Sequence, residues 1–337
     1  MWKSIYKWSR GYYQPSGPIF SFHRNAFVES RFLVRFFYLL TLYTVLNALY
    51  INAVFWVHAK SISPLWPIAW VSLSSHYPQI IYTIVLGTLI SNIMVFCFPE
   101  KRLYRFLFSL TFFGFAALAN SFGKINHGYH AMIIIAFLFL FLPKDPWSSL
   151  ETSISKRQYF LAIIWAAQLL FLLFYTMSGL HKLYALINQI RFAPISALHP
   201  QALAYQTAWR LLMTNEESLL GSLLIKHAFL GWPLYLGAIG LEVFAVVAAF
   251  RPALHRLWGI GLMTLHIGTG LLMNVTFLEH VLLAGLFLVY SPFRPRRHTL
   301  ANVGYALPLI GDLLRFVVDK RGRRRARQRQ APSGDLG

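Results

Sequence analysis

The chain has 337 residues, of which 57% are hydrophobic and 12% are charged, and its formal net charge is +20. Charged residues make up about a quarter of an ordinary soluble globular domain, so this composition excludes that class. Apolar runs of membrane-spanning length recur along the chain and predict an all-α polytopic membrane protein. The single cysteine, Cys97, excludes both an internal disulfide and a mechanism that uses a pair of thiols.

The apolar runs predict a bundle of about eight transmembrane helices. Their approximate positions are 32–57, 77–98, 103–121, 128–142, 159–179, 232–250, 257–275 and 277–291. The fourth and eighth are short for a hydrocarbon core that takes about 20 residues, so they are expected to be sunk in the bundle or to start deeper. No secretory signal peptide is evident at the start of the chain, and the first span is expected to act as its own insertion signal. The chain is thereby divided into an N-terminal segment 1–31, a transmembrane domain 32–293 and a basic tail 294–337.

Lysines and arginines are unequally distributed between the two sets of loops that eight spans create. One set, which includes both ends of the chain and a short loop with Lys101, Arg102 and Arg105, holds most of the 31 basic residues. The other set holds only Lys60, Lys124, Lys182, Arg191, Arg210 and Lys226. Because positively charged loops stay in the cytoplasm, both termini are predicted to be cytoplasmic and Lys182 to lie on the other side. The expected location is a bacterial inner membrane.

Two segments outside the spans have a composition that indicates contact with lipid. The densest basic run, 320–329, has no interleaved aromatic residues that could stack on bases, so nucleic acid is not expected as a partner. We interpret this run as an orientation signal that also contacts anionic lipid. On the other side, the segment 183–231 is apolar enough to lie on the membrane or to dip into it as a re-entrant segment. Within it, 202–212 is predicted to form an interfacial amphipathic helix.

The stretch from Tyr175 to Leu183 combines a helical pattern with polar residues at the end of a predicted span. Tyr175, Ser178, Gly179 and Lys182 fall on one helical face, at spacings of three, four and seven. Gly179 lets a partner helix or a flat ligand approach the backbone. Lys182 either extends to the lipid headgroups as an anchor or is held in a dry pocket, where desolvation favours the neutral amine that can act as a base.

Ionisable residues inside the predicted spans are costly and are expected to have partners. Glu242 and His266 are of this kind, and for each a structural hydrogen bond and a catalytic role remain open. His127 and His130 are three residues apart, a weak signal for a metal site, and we expect no metal. A haem between His130 and His266 is a further alternative.

Four short motifs, in this order and spacing, resemble the vitamin K-dependent γ-glutamyl carboxylase family and the wider family of prokaryotic membrane proteins that share its HTTM domain. Asn126-His127-Gly128-Tyr129 opens a short span, and Ser178-Gly179-Leu180-His181-Lys182-Leu183 closes the next. Leu265-His266 lies in a glycine-rich span, and Tyr290-Ser291-Pro292-Phe293 ends the last hairpin. The resemblance covers about 30–295.

The resemblance implies catalytic roles for Lys182, which would deprotonate reduced vitamin K or menaquinol, and for His127, which would assist at the oxygenated intermediate. The remaining candidate pocket residues are His266, Tyr175, Ser178, Gly179, His130 and Glu242. In that family the quinol anion reacts with O2 to give a strong base, a peptide glutamate loses its γ-proton, CO2 is captured and a quinone epoxide leaves. The implied enzyme class is a carboxylase, formally a carbon–carbon lyase and monooxygenase.

One departure from the family leaves the reaction open. The animal carboxylase has a large lumenal domain that holds the recognition segment of its substrate, whereas this chain is expected to end in a basic tail. A glutamate-bearing protein substrate is therefore not supported, and the expected partners are membrane lipid, a quinone and a secreted peptide. The alternatives are a non-carboxylating component for the maturation of a secreted peptide, with Lys182 as an anion clamp, and a haem- or quinol-binding membrane protein.

Overall fold

A computed structural model of the chain describes residues 19–58, 63–73, 77–122, 127–144, 153–192, 199–295, 299–313 and 316. Within these ranges the chain is helical, with connecting turns and without β-strands. The first 18 residues of the predicted N-terminal segment, the basic run 320–329 and Asn126 of the first motif lie outside the described residues. The all-α prediction is confirmed for the described part.

The helices, in chain order, have the following bounds: α1 Ile19–His58, α2 Tyr77–Cys97, α3 Arg102–Ala119, α4 Gly128–Leu138, α5 Ile154–Phe192, α6 Ala202–Thr214, α7 Gly221–Lys226, α8 Gly231–Val243, α9 Ala245–Phe250, α10 His255–Met273, α11 Leu278–Ala284 and α12 Leu300–Ala306. A π-helical turn, Gly285–Val289, continues α11 directly. Each segment predicted as a span overlaps one of these helices or an adjoining pair of helical segments.

Among the described residues, four helices are long and apolar enough to cross a membrane. They lie in α1, α2, α3 and α5, and their apolar stretches are Asn25–Tyr50, Gln79–Cys97, Arg102–Ala119 and Ile154–Asn188. The apolar helices Gly128–Phe141, Ala228–Val243 and Leu278–Val289 are shorter. The sequence-based expectation that the fourth and eighth spans are short agrees with these lengths.

The outward faces of the first three helices are apolar. Exposed hydrophobic side chains recur at helical spacing in α1 (Phe32, Phe36, Tyr43, Leu46), α2 (Leu86, Ile90, Ile93) and α3 (Leu103, Phe106, Leu110). A helix that is hydrophobic on all sides either lies inside a large protein or faces lipid. Since these faces are not covered within the described part of the chain, their chemistry is that of a lipid-facing surface.

Helix α5 is the central element of the fold, because it packs against α1, α4, α8 and α9. Its polar side chains bind carbonyl oxygens on the neighbouring elements. Trp165 Nε1 donates to the Ala249 carbonyl at 2.9 Å, and Gln168 Nε2 donates to the Phe287 carbonyl in the π-helical turn. These bonds fix α5 against α9 and against the turn that follows α11.

Arg105 occupies a position that the sequence analysis assigned to a charged loop. The structure buries its side chain completely, and Nη2 donates to the Leu142 carbonyl at 2.8 Å. This carbonyl follows the 3₁₀ turn Phe139–Phe141. The last carbonyl groups of a helix have no N–H partner within the helix and need hydrogen-bond donors from elsewhere. Arg105 therefore anchors the end of the α4 region to α3, a contact that charge counting along the chain does not detect.

Ser291, in the motif that ends the last hairpin, is the centre of a buried hydrogen-bond network. Its Oγ accepts from Gln168 Nε2 at 2.9 Å and from the Phe293 backbone N–H at 3.2 Å. It also pairs with His255 Nδ1 at 2.7 Å. The hydroxyl of Ser291 thus connects the end of the π-helical turn to Gln168 of α5 and to His255 of α10.

Replacing Ser291 by alanine is expected to lower the free energy of unfolding by about 1–3 kcal/mol, because the buried partners lose their shared acceptor. Thermal unfolding of the purified protein in detergent measures this effect. Ser222→Ala, at an exposed position in α7, is the control and should change stability little. Equal stability of the two variants would contradict the structural role of Ser291.

Candidate functional site

Lys182 of α5 and Glu242 of α8 form a close ion pair. Lys182 Nζ lies 2.6 Å from both Oε1 and Oε2 of Glu242. The Glu242 side chain is 6% exposed and the Lys182 side chain 39% exposed. An unpaired carboxylate among apolar helices is costly, so the lysine supplies the partner that Glu242 was expected to need. This geometry differs from both roles that the sequence analysis considered for Lys182. The amine is not a free anchor at the lipid headgroups, and it is not fully enclosed in a dry pocket.

Gly179 permits the close approach of α5 and α8 beside this pair. A Cβ atom at Gly179 would lie 2.6 Å from the Val243 backbone nitrogen and 3.0 Å from the Glu242 carbonyl carbon. Real Cβ atoms do not reach such distances, so only glycine fits without a shift of the helices. The residue stands one helical turn before Lys182 and therefore sets the distance across which the lysine meets Glu242.

Thr176 fixes the backbone that carries Glu242. The chain leaves helical geometry at Phe244, between α8 and α9, and the Val246 N–H donates to Thr176 Oγ1 at 2.9 Å. The same hydroxyl donates to the Glu242 carbonyl at 3.3 Å. The sequence analysis missed Thr176, although its position three residues before Gly179 placed it near the same contact with α8.

A second polar contact adjoins the ion pair. Tyr175 Oη and His266 Nε2 of α10 are 2.7 Å apart, and Tyr175 is 5% exposed. Which of the two donates depends on the imidazole tautomer. Helix α5 therefore carries both contacts, to α8 through the ion pair and to α10 through the tyrosine–histidine contact, and we refer to these four residues together as the cluster.

His280 of α11 extends this cluster and was not among the predicted site residues. Its ring centroid lies 5.1 Å from that of His266 and 5.9 Å from that of Tyr175. His280 lies in a short apolar helix, three residues before Leu283. The sequence pattern of that helix does not mark it as a site residue, because its partners lie on other helices.

His127 and His130 stand at the start of α4, with ring centroids 5.1 Å apart. Their spacing of three places both rings on one side of the first helical turn, as predicted. Within the described residues, no group of three or more His, Cys, Asp or Glu is arranged to hold a metal ion.

The structure pairs Lys182 with Glu242 and Tyr175 with His266, and Gly179 packs against the backbone next to Glu242. His127 and His130 contact each other at the start of α4. Ser178 is the exception: its side chain is exposed and takes no part in the contacts described above.

The centre of the cluster has the chemistry to bind the oxygen of a flat aromatic ring. His266 Nδ1 and His280 Nδ1 are buried and have no hydrogen-bond partner among the described residues. Aromatic rings line the same region, with Phe277 centred 5.2 Å from His266 and Phe171 centred 6.4 Å from His280. A neutral imidazole donates from one nitrogen and accepts at the other, so the pair can serve a hydroxyl or a carbonyl oxygen.

The fold and the site define an all-helical protein that has helices of membrane-spanning length and encloses a lysine–glutamate and tyrosine–histidine cluster. Compared with protein-family models, curated proteins and solved structures, the chain shows no match. The functional argument therefore depends on the geometry of the site and on the resemblance of the four motifs.

Proposed function

We propose that this protein is an integral membrane enzyme of the vitamin K-dependent carboxylase type. In this proposal a reduced quinone and O2 drive the modification of a peptide or small-molecule acceptor. Carboxylation is the modification that the resemblance implies. The observation that carries the proposal is the ion pair of Lys182 and Glu242, together with two imidazoles whose buried Nδ1 atoms have no partner among the described residues. A base near hydrogen-bonding side chains and aromatic rings is what deprotonation of a quinol needs.

The proposed arrangement in the membrane has eight spans within 32–293, both termini in the cytoplasm and the site facing the other side. The exposed apolar side chains of α6, among them Trp209, Leu212 and Met213, support an interfacial position for the segment between α5 and α8. This segment is then the platform for the acceptor. A quinone with a hydrocarbon tail would reach the site laterally from lipid.

Lys182 acts as the base in this proposal. In this proposal the ion pair is the state reached after proton transfer: the amine starts neutral beside ionised Glu242 and takes a proton from a quinol hydroxyl, whose O–H bond breaks as an Nζ–H bond forms. Glu242 holds Nζ in place and stabilises the ammonium that results, because the two groups are 2.6 Å apart. When bound, the reduced quinone would supply, with O2, the strong base that the resemblance implies.

The surrounding residues orient the ring and limit access of water. His266 and His280 would bind its oxygen through their Nδ1 atoms, and Phe171 and Phe277 would enclose it. Strong bases persist only where water is excluded, which the apolar helices favour. His127, exposed at the start of α4, would face the acceptor in this arrangement.

The experiment that tests the proposal measures quinone epoxide. The purified protein in detergent receives reduced vitamin K, O2, bicarbonate and a glutamate-containing peptide, beside Lys182→Ala and the control Lys226→Ala, which removes an exposed lysine of α7. We expect epoxide from the wild type and the control and none from Lys182→Ala. Epoxide formation that is unchanged in Lys182→Ala would contradict the assignment of the base.

The geometry disfavours the two alternatives. An anion clamp for peptide maturation needs a free cation, whereas Lys182 Nζ is already bound to both carboxylate oxygens of Glu242. A haem between His130 and His266 would have to bind His266 through Nδ1, because His266 Nε2 is bonded to Tyr175. A haem absorbance band in the purified protein would nevertheless favour the second alternative.

A further inference from the structure

The chain that follows the last predicted span is bound to the end of another span. Arg251, in the turn between α9 and α10, donates from Nη1 to the Ala306 carbonyl at 2.9 Å, at the last residue of α12. Its Nη2 lies 2.9 Å from Oδ1 and 3.1 Å from Oδ2 of Asp312. Because Arg251 directly follows the predicted sixth span, these bonds hold the C-terminal segment 299–313 at the end of the apolar bundle.

A tight turn behind α12 gives this segment an inner and an outer side. The Gly311 N–H donates to the Leu307 carbonyl at 2.9 Å. A Cβ atom at Gly311 would meet the carbonyl oxygen of Tyr305 and would lie 2.6 Å from its carbonyl carbon, so only glycine fits this close approach. Ala306 and Gly311 are buried on the inner side of the turn.

The outer side of the segment is apolar. Leu300, Leu309, Ile310 and Leu313 are all exposed within the described part of the chain. The last three lie at spacings of one and four residues, which are typical of one helical face. Exposed apolar clusters of this kind mark surfaces that contact a protein or a membrane.

The charge of the sequence that follows indicates which of these partners fits. The run 320–329 contains no acidic residue, and its basic residues are Lys320, Arg321, Arg323, Arg324, Arg325, Arg327 and Arg329. Anionic lipid headgroups attract such clusters where they adjoin an amphipathic segment or the end of a span. An apolar surface at the end of the bundle, followed by concentrated positive charge, is therefore complementary to an anionic bilayer surface.

We propose that the C-terminal segment 299–313 docks on the anionic surface of the membrane in which the protein is embedded. Its exposed leucines and Ile310 enter the boundary between headgroups and acyl chains, and the run 320–329 binds the headgroups. Arg251 holds the segment at the level of this boundary. The inference uses the proposed membrane arrangement but not the proposed quinol reaction.

The first experiment measures contact between Ile310 and lipid in the full chain. The single cysteine, Cys97, is changed to serine, and Ile310→Cys carries a bimane fluorophore. Glu217→Cys, at an exposed position between α6 and α7, is the control. The protein is placed in nanodiscs of phosphatidylcholine alone or of an equal mixture with phosphatidylglycerol, with bromine on the acyl chains near the headgroup.

We expect bromine to quench the Ile310 probe at least about twofold in the mixture and less in phosphatidylcholine alone, while soluble iodide quenches mainly the control. A probe at Ile310 that iodide reaches and bromine does not would overturn the docking. Equal bromine quenching in the two lipids would overturn the role of anionic lipid. Disulfide formation between unlabelled Ile310→Cys chains would show that a second copy covers this surface, and would also overturn the proposal.

The second experiment tests the role of Arg251. Arg251→Gln should lower bromine quenching at Ile310 about twofold and expose the probe to iodide, because the segment loses its contact with the bundle. Arg256→Gln, which changes an exposed arginine at the start of α10, is the matched control and should leave quenching unchanged. Equal quenching in the two variants would contradict the role of Arg251. Neither experiment involves quinol, so failure of the docking and failure of the proposed reaction are separate results.

Discussion

Lys182→Arg is expected to lower quinol oxidation at least about 100-fold while the protein stays folded. A guanidinium remains charged under all conditions in proteins, so it cannot accept the proton of a quinol. It can, however, bind a carboxylate through two parallel hydrogen bonds and thus retain the charge partner of Glu242. The rate of epoxide formation and the thermal unfolding temperature are measured on the same preparation.

The comparison with Lys182→Ala makes this result specific. Alanine removes the base and also leaves Glu242 buried at 6% exposure without its partner, so both rate and stability should fall. Arginine should reduce the rate alone. An arginine variant that oxidises quinol at the wild-type rate would exclude Lys182 as the base and would restore the anion-clamp hypothesis.

Gly179→Ala, which adds one methyl group, is expected to force α5 and α8 apart and to destabilise the protein. The new Cβ would meet the Val243 backbone nitrogen at 2.6 Å and Val243 Cγ2 at 2.9 Å, so α5 and α8 must separate. Adding a methyl group to a packed contact costs about 1–3 kcal/mol. Because Lys182 and Glu242 are carried by these two helices, the separation should also weaken the ion pair and reduce turnover.

A matched control comes from Gly240, two residues before Glu242 on α8. A Cβ at Gly240 would have no neighbour within 4 Å, so Gly240→Ala should be neutral or slightly stabilising because alanine favours helix. Thermal unfolding of both variants, followed by the epoxide assay, checks the prediction. If Gly179→Ala were as stable and as active as Gly240→Ala, the close helix contact would not determine the geometry of the site.

Local features of the sequence were sufficient to predict the helices and several residues of the site. Apolar runs gave the positions of the predicted spans, and the spacing of Tyr175, Gly179 and Lys182 placed them on one face of α5. A carboxylate inside a membrane is energetically costly, and this cost alone predicted that Glu242 has a partner. The break between α8 and α9 was not predicted, because the segment around Phe244 contains neither proline nor glycine.

The pairing of these residues was decided only by the tertiary structure. Lys182 and Glu242 are 60 residues apart and Tyr175 and His266 are 91 residues apart. Hydropathy and periodicity show which residues share a helical face, whereas the rotation and height of each helix against its neighbours determine which faces meet. The contacts of His280 could not be found from the sequence for that reason. Its ring neighbours Tyr175 and His266 come from α5 and α10, and only the packing of these helices brings them together.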